Sequence, residues 1–410
     1  MTSDLAVSKE GLSIPLIDFS LFLKGSPSER SNTAKAILHG FQTAGFIYLK
    51  NHHVPAESLQ RAYSLSARFF DQPTEKKLKL NWTTPEANRG YSAPGREKVT
   101  QLKDIREVDK IRNAAPDLKE SYEIGREGEP GHPNQWPQEE GDIVGFRSDM
   151  LEFYHQCKGL HVEVMRAIAV GMGLDETFFD SFTDVGDNTL RLLHYPAVEA
   201  DVFKMNPLTV RAGEHSDYGS ITLLFQDNRG GLQVKSPTGH FVDATPIEGT
   251  VVVNAGDLLS RWSNDTIKTL RTFCNPNFES YIEALPGTFA TEKDKKHEGI
   301  KSGDYLAHID LEGMVLDSKV RSIRDRLSQD WPAAIYNGMY FSPERELVEH
   351  AVKFLQRQVE GKVNLVAYKG CAYVVRRSSE TSNLYSADES SMDTLGMNWT
   401  PQDTTGFIAI

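Results

Sequence analysis

The sequence predicts a mixed α/β protein in which short apolar strands alternate with amphipathic helices. Residues 46–49 form an apolar run with strand character, and residues 150–172 carry apolar side chains at helical spacing. Two further β-rich runs, residues 221–225 and 250–253, lie on either side of the turn signal Gly-Gly. With 410 residues, the chain is long enough for two or three domains.

The first third of the chain is predicted from its succession of strand and helix patterns. A polar tail precedes a strand at residues 14–20, and residues 31–45 have helical periodicity. The run 45–55 is then a buried strand that ends in a His-His-Val-Pro turn, and a helix follows at residues 55–70. Strand and helix therefore alternate twice before the first long polar stretch.

The middle of the chain is predicted to contain loops and one long helix. Residues 92–116 and 128–145 are polar and rich in proline, glycine and charge, so we expect loops there. The amphipathic helix 150–172 follows, and we interpret its His155 and His161 as helix-surface or core-edge residues. The run TLRLLHYP after this helix predicts a further strand.

His215 and Asp217 lie two residues apart at the head of the apolar run 221–225. Side chains at positions i and i+2 of an extended segment project from one face, so this imidazole and this carboxylate can reach the same metal ion. Two such ligands and a distant second histidine form the facial triad of non-haem Fe(II) sites, which leaves positions open for substrate and O₂. The pair therefore predicts an iron site.

A solvated loop that carries a polar pair is the alternative interpretation. The content of 12 histidines and 57 acidic residues gives about two His-x-acid triplets by chance. The chain has three, at His161/Glu163, His215/Asp217 and His308/Asp310. Only the middle triplet precedes a strand, a Gly-Gly turn and a second strand that ends in Asn-Ala-Gly-Asp, so its context favours a metal site. In that last stretch Asn254 and Asp257 are interpreted as turn residues.

The stretches HSDYGSITLLFQD, GGLQV and VVVNAGDLLSRWSN resemble the core of the isopenicillin-N-synthase-like family of Fe(II)/2-oxoglutarate oxygenases. FFDQPTEKK, RGY and DLKESYEIGRE resemble the N-terminal region of that family, in the same order. The resemblance implies a double-stranded β-helix, or jelly roll, flanked by helices. It also implies Fe(II) bound by His215 and Asp217, with 2-oxoglutarate and O₂ as co-substrates. Tyr195 would help to bind 2-oxoglutarate, although Leu193 stands where the family commonly has Asn.

The family pattern breaks after SNDTIKTL. There the resemblance implies a Leu-His-Arg-Val strand that carries the third metal ligand. A strand with Arg-x-Ser would follow, and its arginine would bind the distal carboxylate of 2-oxoglutarate in bidentate fashion. In this chain Leu270 leads directly into Arg271, and no histidine lies between His240 and His297. We therefore expect two core strands to be missing, together with the ligand and the arginine.

Losing these strands has physical consequences for the predicted site. Two ligands alone should hold Fe(II) weakly, and an open jelly roll exposes strand edges and should be poorly stable. Arg271 is not followed by the serine that the family pattern implies. A substitute third ligand would have to come from His194, His240, His297 or His308, of which His194 is adjacent to a site strand.

The character of the sequence changes after residue 306. Residues 307–327 predict a strand-like start and a charged amphipathic helix, and a second helix begins at Ser342-Pro343 and ends at Gly361. VNLVAYKGCAYVVRRSS then predicts a β-hairpin that turns at Lys-Gly. These stretches, with SSETSNLYSADESSMDTL and DTTGFIAI, resemble the C-terminal part of argininosuccinate synthase, an enzyme of arginine biosynthesis.

The resemblance of the tail implies an α+β fragment without ligase chemistry. The pyrophosphate-binding loop and the citrulline- and aspartate-binding residues of that family belong upstream of the matching part, and no such loop occurs in this chain. What remains resembles part of a sheet and subunit-contact elements. The tail is therefore expected to contact argininosuccinate synthase subunits through its helix at residues 343–360.

Composition excludes several other classes of function. A net charge of −12 argues against nucleic-acid and anionic-membrane partners, which reward basic patches. The three cysteines are far apart and are interpreted as reduced thiols. The N-terminus lacks the pattern of a secretory signal, and no apolar run reaches membrane-spanning length, so the expected compartment is the cytoplasm.

The predicted organisation has four parts. They are an oxygenase N-terminal region at 1–125, loops and the long helix at 126–185, an incomplete jelly-roll domain at 186–306 and the synthase-like fragment at 307–410. The predicted activity is hydroxylation, desaturation or cyclisation of a small organic substrate. Three explanations fit the truncated pattern: a fused or mis-spliced gene product, an inactive fusion, and an oxygenase with an unconventional ligand set. The alternative function is a subunit-contact module.

Overall fold

The structure, a computed structural model, describes most of the first 305 residues and five strands of the tail. The described residues are 4–82, 89–94, 118–199, 201–202, 211, 217, 219–268 and 276–305, and the backbone of 335–336, 339–341, 363–368, 371–376 and 405–409. The chain forms two compact units. The first comprises residues 1–101, 111–303 and 401–410, and the second comprises residues 102–110 and 304–400.

The strands of the first unit are mostly short. They are β1 (Asp4–Lys9), β2 (Leu12–Asp18), β3 (Phe46–Lys50), β4 (Gly90–Ser92), β5 (Glu120–Gly125), β6 (Thr189–Tyr195), β7 (Ile221–Gln226), β8 (Gln233–Lys235), β9 (Phe241–Asp243), β10 (Thr250–Ala255), β11 (Tyr281–Ile282), β12 (Ile300–Lys301) and, after the second unit, β17 (Thr405–Ala409).

Seven described α-helices accompany these strands. They are α1 (Ser20–Lys24), α2 (Pro27–Thr43), α3 (Ala56–Phe70), α4 (Thr74–Leu78), α5 (Phe146–Gly171), α6 (Asp180–Thr183) and α7 (Asp257–Trp262). Helix α2 begins earlier than its apolar periodicity predicts because Ser26 and Glu29 form a capping box with Pro27 at the first helical position.

The first unit is built on one nine-stranded sheet in the order β1-β2-β3-β10-β7-β17-β6-β5-β4. All neighbours are antiparallel except β2 and β3, which are parallel. The predicted strands at 14–20, 46–49, 221–225 and 250–253 all lie in this sheet. The N-terminal segment, interpreted as a polar tail, contributes the edge strand β1.

Two layers cover this sheet. The β8–β9 hairpin packs Val234 and Val242 into a core cluster with Ile14, Tyr48 and Val252 of the main sheet. The amphipathic α5 carries twelve buried residues and packs against α2 and α3. A sheet covered by a second small sheet and by helices is the layered arrangement that a jelly roll with flanking helices requires.

The contact between α5 and α2 depends on a glycine. Gly171 ends α5, and a Cβ built there would lie 2.6 Å from the carbonyl oxygen of Ala34 in α2. Gly159, in the middle of α5, has nothing within 4 Å of such a Cβ. The backbones of α5 and α2 therefore approach closely at Gly171, whereas Gly159 faces open space.

The second unit contains a four-stranded sheet in the order β13-β14-β16-β15. Its strands are β13 (Ile335–Tyr336), β14 (Met339–Phe341), β15 (Val363–Tyr368) and β16 (Cys371–Arg376). The last two form the predicted hairpin, since Tyr368 pairs with Cys371. The predicted helices at 307–327 and 343–360 lie outside the described residues.

Two further expectations concern the cysteines and membrane-spanning segments. Cys157 is buried in α5, and Cys274 lies outside the described residues. Within the described parts of the chain, no helix is both long and apolar enough to cross a membrane.

Candidate functional site

Asp217 lies in a short loop before β7 that is bonded to the start of α7. Three backbone hydrogen bonds make this connection: Gly256 N to Ser220 O at 2.8 Å, Asp257 N to Asp217 O at 3.1 Å and Leu258 N to Gly219 O at 3.1 Å. The loop accepts amide hydrogens of the first turn of α7, which have no partner inside the helix. The backbone position of Asp217 is therefore fixed by the fold.

The side chain of Asp217 is held as firmly as its backbone. The residue is 9% exposed, and Oδ2 accepts from Thr222 Oγ1 at 3.0 Å and from Asn254 Nδ2 at 3.1 Å. Thr222 and Asn254 are direct cross-strand partners in the β7–β10 register. Two donors on one oxygen set the plane of the carboxylate, which is how outer residues orient a metal-ligating carboxylate.

Asn254 corrects one of our interpretations. It is not a turn residue: it belongs to β10, and its side chain is buried against Asp217. Strand pairing could not be read from the sequence, and only the pairing brings Asn254 next to the carboxylate. Asp257 begins α7, where its amide donates to Asp217.

His161 supports the same loop from the helical layer. It lies in α5, is fully buried, and its Nε2 lies 3.1 Å from Ser220 Oγ. Its Nδ1 makes no hydrogen bond within the described part of the chain. Burial lowers the pKa of His161 to about 3, so the imidazole is neutral. The expectation of a helix-surface or core-edge residue was therefore wrong: His161 is part of the core beneath the loop.

Tyr195 ends β6 and is buried. Its carbonyl oxygen accepts a hydrogen bond from Arg211 Nη1 at 3.3 Å, and burial lowers the pKa of Arg211. Strands β6 and β7 are parallel to each other, because both are antiparallel to β17. Tyr195 at the end of β6 and Asp217 before the start of β7 therefore lie at opposite ends of the two strands.

His215 lies outside the described residues, as do Arg271 and His308. The other histidines considered as a third ligand have different partners. His194 Nδ1 lies 2.7 Å from Glu120 Oε1, and His297 Nε2 lies 2.6 Å from Asp265 Oδ1. His240 is exposed and lies 3.5 Å from Glu10.

These residues test how well the chain fits an iron ion. The Asp217 carboxylate is held by two donors, but no group of three His, Cys, Asp or Glu side chains that could hold a metal occurs within the described ranges. His194, the most favoured stand-in, is bonded to Glu120. The described residues thus supply one oriented carboxylate and do not complete a three-ligand centre.

Two buried acidic clusters on β5 and β6 were not predicted. Glu120 contacts Lys77 at 2.8 Å and His194 at 2.7 Å, and Glu123 contacts Arg191 at 2.6 Å. Burial tends to raise the pKa of Glu120, but hydrogen bonds from His194, Lys77 and Tyr91 outweigh it and lower that pKa. These strands therefore carry paired charges into the interior, where each ion needs its partner.

A cleft of about 210 Å³ occurs elsewhere, lined mainly by apolar and aromatic residues that include Phe178, Phe182 and Trp262. Asp217, Tyr195 and Arg211 do not line it. The cleft is therefore separate from the candidate site.

Comparisons with known families agree with the two resemblances. Residues 14–139 match the non-haem dioxygenase N-terminal family described from morphine synthesis, and residues 186–276 match the 2OG-Fe(II) oxygenase superfamily. Residues 304–410 match the arginosuccinate synthase C-terminal domain.

Curated relatives are named as oxidoreductases and hydroxylases. The 2-oxoglutarate-Fe(II) type oxidoreductase ppzD of Metarhizium rileyi is 35% identical over 61% of this chain and 71% of its own length. The proline hydroxylase buaE of Petromyces alliaceus is 33% identical over 63% of this chain and 79% of its own length. The chain belongs to the 2OG-Fe(II) oxygenase family.

Among solved structures, one relative has a higher sequence identity to this chain than the curated relatives above. The thymine 7-hydroxylase of Neurospora crassa, in complex with alpha-KG and thymine, is 66% identical, with a TM-score of 0.68 over 74% of this chain and 98% of that one. A 2OG-Fe(II) oxygenase family protein from Caulobacter crescentus is 26% identical, with a TM-score of 0.60 over 73% of this chain and 98% of that one. These neighbours confirm the mixed α/β jelly-roll class, and the family confirms Fe(II), 2-oxoglutarate and O₂ as its cofactor and co-substrates.

Proposed function

We propose that this chain is an Fe(II)/2-oxoglutarate-dependent oxygenase for a small pyrimidine base, with a metal centre reduced to His215 and Asp217. The observation that carries this proposal is the carboxylate of Asp217, which Thr222 and Asn254 orient from one side. Two side-chain donors on one oxygen fix the plane of the carboxylate, as outer residues do at a metal site.

The substrate class comes from the most informative structural relative. The Neurospora crassa thymine 7-hydroxylase was solved with thymine and with 5-formyluracil, and this chain covers 98% of it at 66% and 60% identity in the two complexes. A pyrimidine methyl group is a C–H substrate of the kind that this family oxidises. We therefore expect thymine to be the first substrate to try.

Each proposed site residue has one role. His215 and Asp217 would hold Fe(II), and Tyr195, by its match to the family pattern, would help to bind 2-oxoglutarate. When bound, Fe(II) with 2-oxoglutarate and O₂ supplies the oxidising power for the C–H bond while 2-oxoglutarate becomes succinate and CO₂. Arg211 donates to the carbonyl oxygen of Tyr195 at the opposite strand end from Asp217, so it has no assigned role toward 2-oxoglutarate.

The proposal includes an incomplete jelly roll. Two core strands are absent between Leu270 and Arg271, and with them the second histidine ligand. Two protein ligands should bind Fe(II) weakly and with poor geometry. We therefore propose weak turnover compared with a three-ligand oxygenase.

The test is anaerobic titration of the purified 410-residue chain with Fe(II) and 2-oxoglutarate, followed by O₂ and thymine. We expect measurable Fe(II) binding that His215→Ala and Asp217→Ala both remove, and succinate formation that depends on thymine. His240→Ala is the matched control, because His240 is exposed and bonded elsewhere. Metal binding that survives both site variants would refute the assignment.

Further proposals concern the organisation of the chain. We propose the boundaries 1–125, 126–185, 186–306 and 307–410, an α+β tail fragment, and a cytoplasmic location. Fluorescent tagging of the full chain in cells would check the location, and limited proteolysis would check the boundaries. Cleavage sites concentrated inside these segments, and not between them, would argue against the division.

A second candidate function belongs to the tail. The match of residues 304–410 to the arginosuccinate synthase C-terminal domain favours association with intact synthase subunits. We propose that this contact uses the helix that the sequence predicts at residues 343–360. Co-purification of the chain with full-length synthase is expected, and a strictly monomeric chain that ignores the enzyme would refute the contact.

A further inference from the structure

The last strand of the chain lies inside the sheet of the first unit. Strand β17, which belongs to the part that matches the arginosuccinate synthase domain, is hydrogen-bonded between β6 and β7. It pairs with β6 over five residues, from Thr405 opposite Tyr195 to Ala409 opposite Arg191. It pairs with β7 over three residues, from Phe407 opposite Gln226 to Ala409 opposite Leu224.

Without β17, the sheet would have two unpaired inner edges. The other edge of β6 is bonded to β5 and the other edge of β7 to β10, so β17 is their only shared neighbour in the described sheet. Leu190, Leu192, Leu223 and Phe225 on these strands are fully buried. Backbone groups freed at such a place could not all be satisfied by water, and buried unpaired N–H and C=O groups are strongly destabilising.

We propose that β6 and β7 form a strand-acceptor groove in the oxygenase body, and that residues 405–409 of the same chain complete the sheet by occupying it. The sequence TGFIA has the apolar and β-branched content of a central strand and contains no charged residue or proline. The tail thus has a structural role in the oxygenase body that is independent of any ligase ancestry.

Strand β17, which occupies the groove, also affects the candidate site. Strand β17 joins the strand that ends at Tyr195 to the strand that follows Asp217, so it fixes the spacing between them. It brings no arginine or histidine, because TGFIA has neither. The groove is therefore completed in structure without supplying a ligand for a metal or for 2-oxoglutarate.

The decisive experiment is hydrogen exchange of the full chain with single proline variants. Successive N–H groups of a strand point to opposite neighbours, so Phe407→Pro and Ile408→Pro each remove a ladder bond to a different side. We expect exchange at β6 and β7 to rise about tenfold or more in both variants. Gln402→Pro, upstream of the paired register, is the proline control, and Ile408→Val is the strand-compatible control. Neither control should change exchange.

The proposal would be overturned if the hydrogen-exchange protection of β6 and β7 were unchanged in both proline variants. If a proline variant does not fold, a chain that ends at residue 400 is tested with the synthetic peptide PQDTTGFIAI. The peptide should restore protection, and its Phe407→Pro version should not. Protection of the full chain that rises with protein concentration would assign the groove to a second copy and would also overturn the intramolecular proposal. None of these readouts depends on metal binding or turnover.

Discussion

At the level of single residues, the candidate site depends on side chains that do not themselves touch a ligand. We predict that Thr222→Val and Asn254→Ala each weaken Fe(II) binding by about 10- to 100-fold, because each removes a donor that orients the Asp217 carboxylate. Titration calorimetry under anaerobic conditions measures this change. Thr238→Val, in an exposed turn, is the matched control and should bind Fe(II) as the unaltered chain does. Equal affinities in all variants would remove Thr222 and Asn254 from the site.

His161 makes stability depend on pH. Its pKa is lowered by burial from 6.5 to about 3 in the folded chain, so below pH 6.5 the unfolded chain takes up a proton that the folded chain does not. The free energy of unfolding should fall by up to about 1.4 kcal/mol per pH unit as the pH drops from 6.5 towards 3. Urea unfolding at about pH 7.5, 6.5 and 5.5 measures this slope.

His161→Gln should flatten that slope, since glutamine has no proton to gain. His155→Gln is the control, because His155 lies exposed on the same helix. An unaltered slope in His161→Gln would mean that other groups cause the acid sensitivity.

At the level of elements, the two glycines of α5 predict opposite effects of the same substitution. Gly171→Ala should lower the free energy of unfolding by about 1–3 kcal/mol, because its Cβ would meet the Ala34 carbonyl at 2.6 Å. Gly159→Ala should raise that free energy by about 0.5–1 kcal/mol, because its Cβ meets nothing and alanine favours the helix. Thermal or urea unfolding of both variants checks the pair. A loss of stability in both would show that helix α5 is constrained along its whole length.

Five strands of the first unit, β2, β3, β6, β7 and β10, could be predicted because each is rich in apolar residues. Strands β3, β7 and β10 follow apolar runs to within two residues of each end. Strand β1 was missed, since Asp4–Lys9 has only three apolar residues between charged and polar ones and lies at a sheet edge where most of its residues are exposed. Its stability comes from pairing with β2, which is a tertiary effect.

The candidate site was predictable only in part, because tertiary contacts also determine which residues surround Asp217. Local sequence predicts that His215 and Asp217 share a face, because residues two apart in an extended segment project to the same side. Asn254 and His161 come from distant elements, and only the sheet register and helix packing bring them to Asp217 and Ser220. No spacing along the chain encodes those contacts.

At the level of the whole molecule, the chain combines an oxygenase body with a tail from another family, and the body uses the tail's last strand. The expected loss of two core strands should leave open edges, yet β6 and β7 are paired through β17. The described sheet is therefore continuous across β6 and β7, whereas the described residues supply a single candidate metal ligand, Asp217. Loss of a strand can be compensated by any apolar segment of suitable length, whereas loss of a histidine ligand requires another histidine in the same place.

This difference predicts the result of restoring the missing segment. An insertion between Leu270 and Arg271 that carries the expected Leu-His-Arg-Val and Arg-x-Ser strands should raise thymine-dependent succinate formation well above that of the natural chain, because it returns the third ligand and the co-substrate arginine. If an inserted strand takes the groove between β6 and β7, truncation at residue 400 should destabilise the natural chain but not the restored one. Succinate formation and thermal unfolding are measured for the natural and the restored chain, each with and without residues 405–409. Restored activity tests the metal centre, and unchanged stability after truncation tests the groove. A restored chain that still needs residues 405–409 would show that the tail strand holds a place of its own in the sheet.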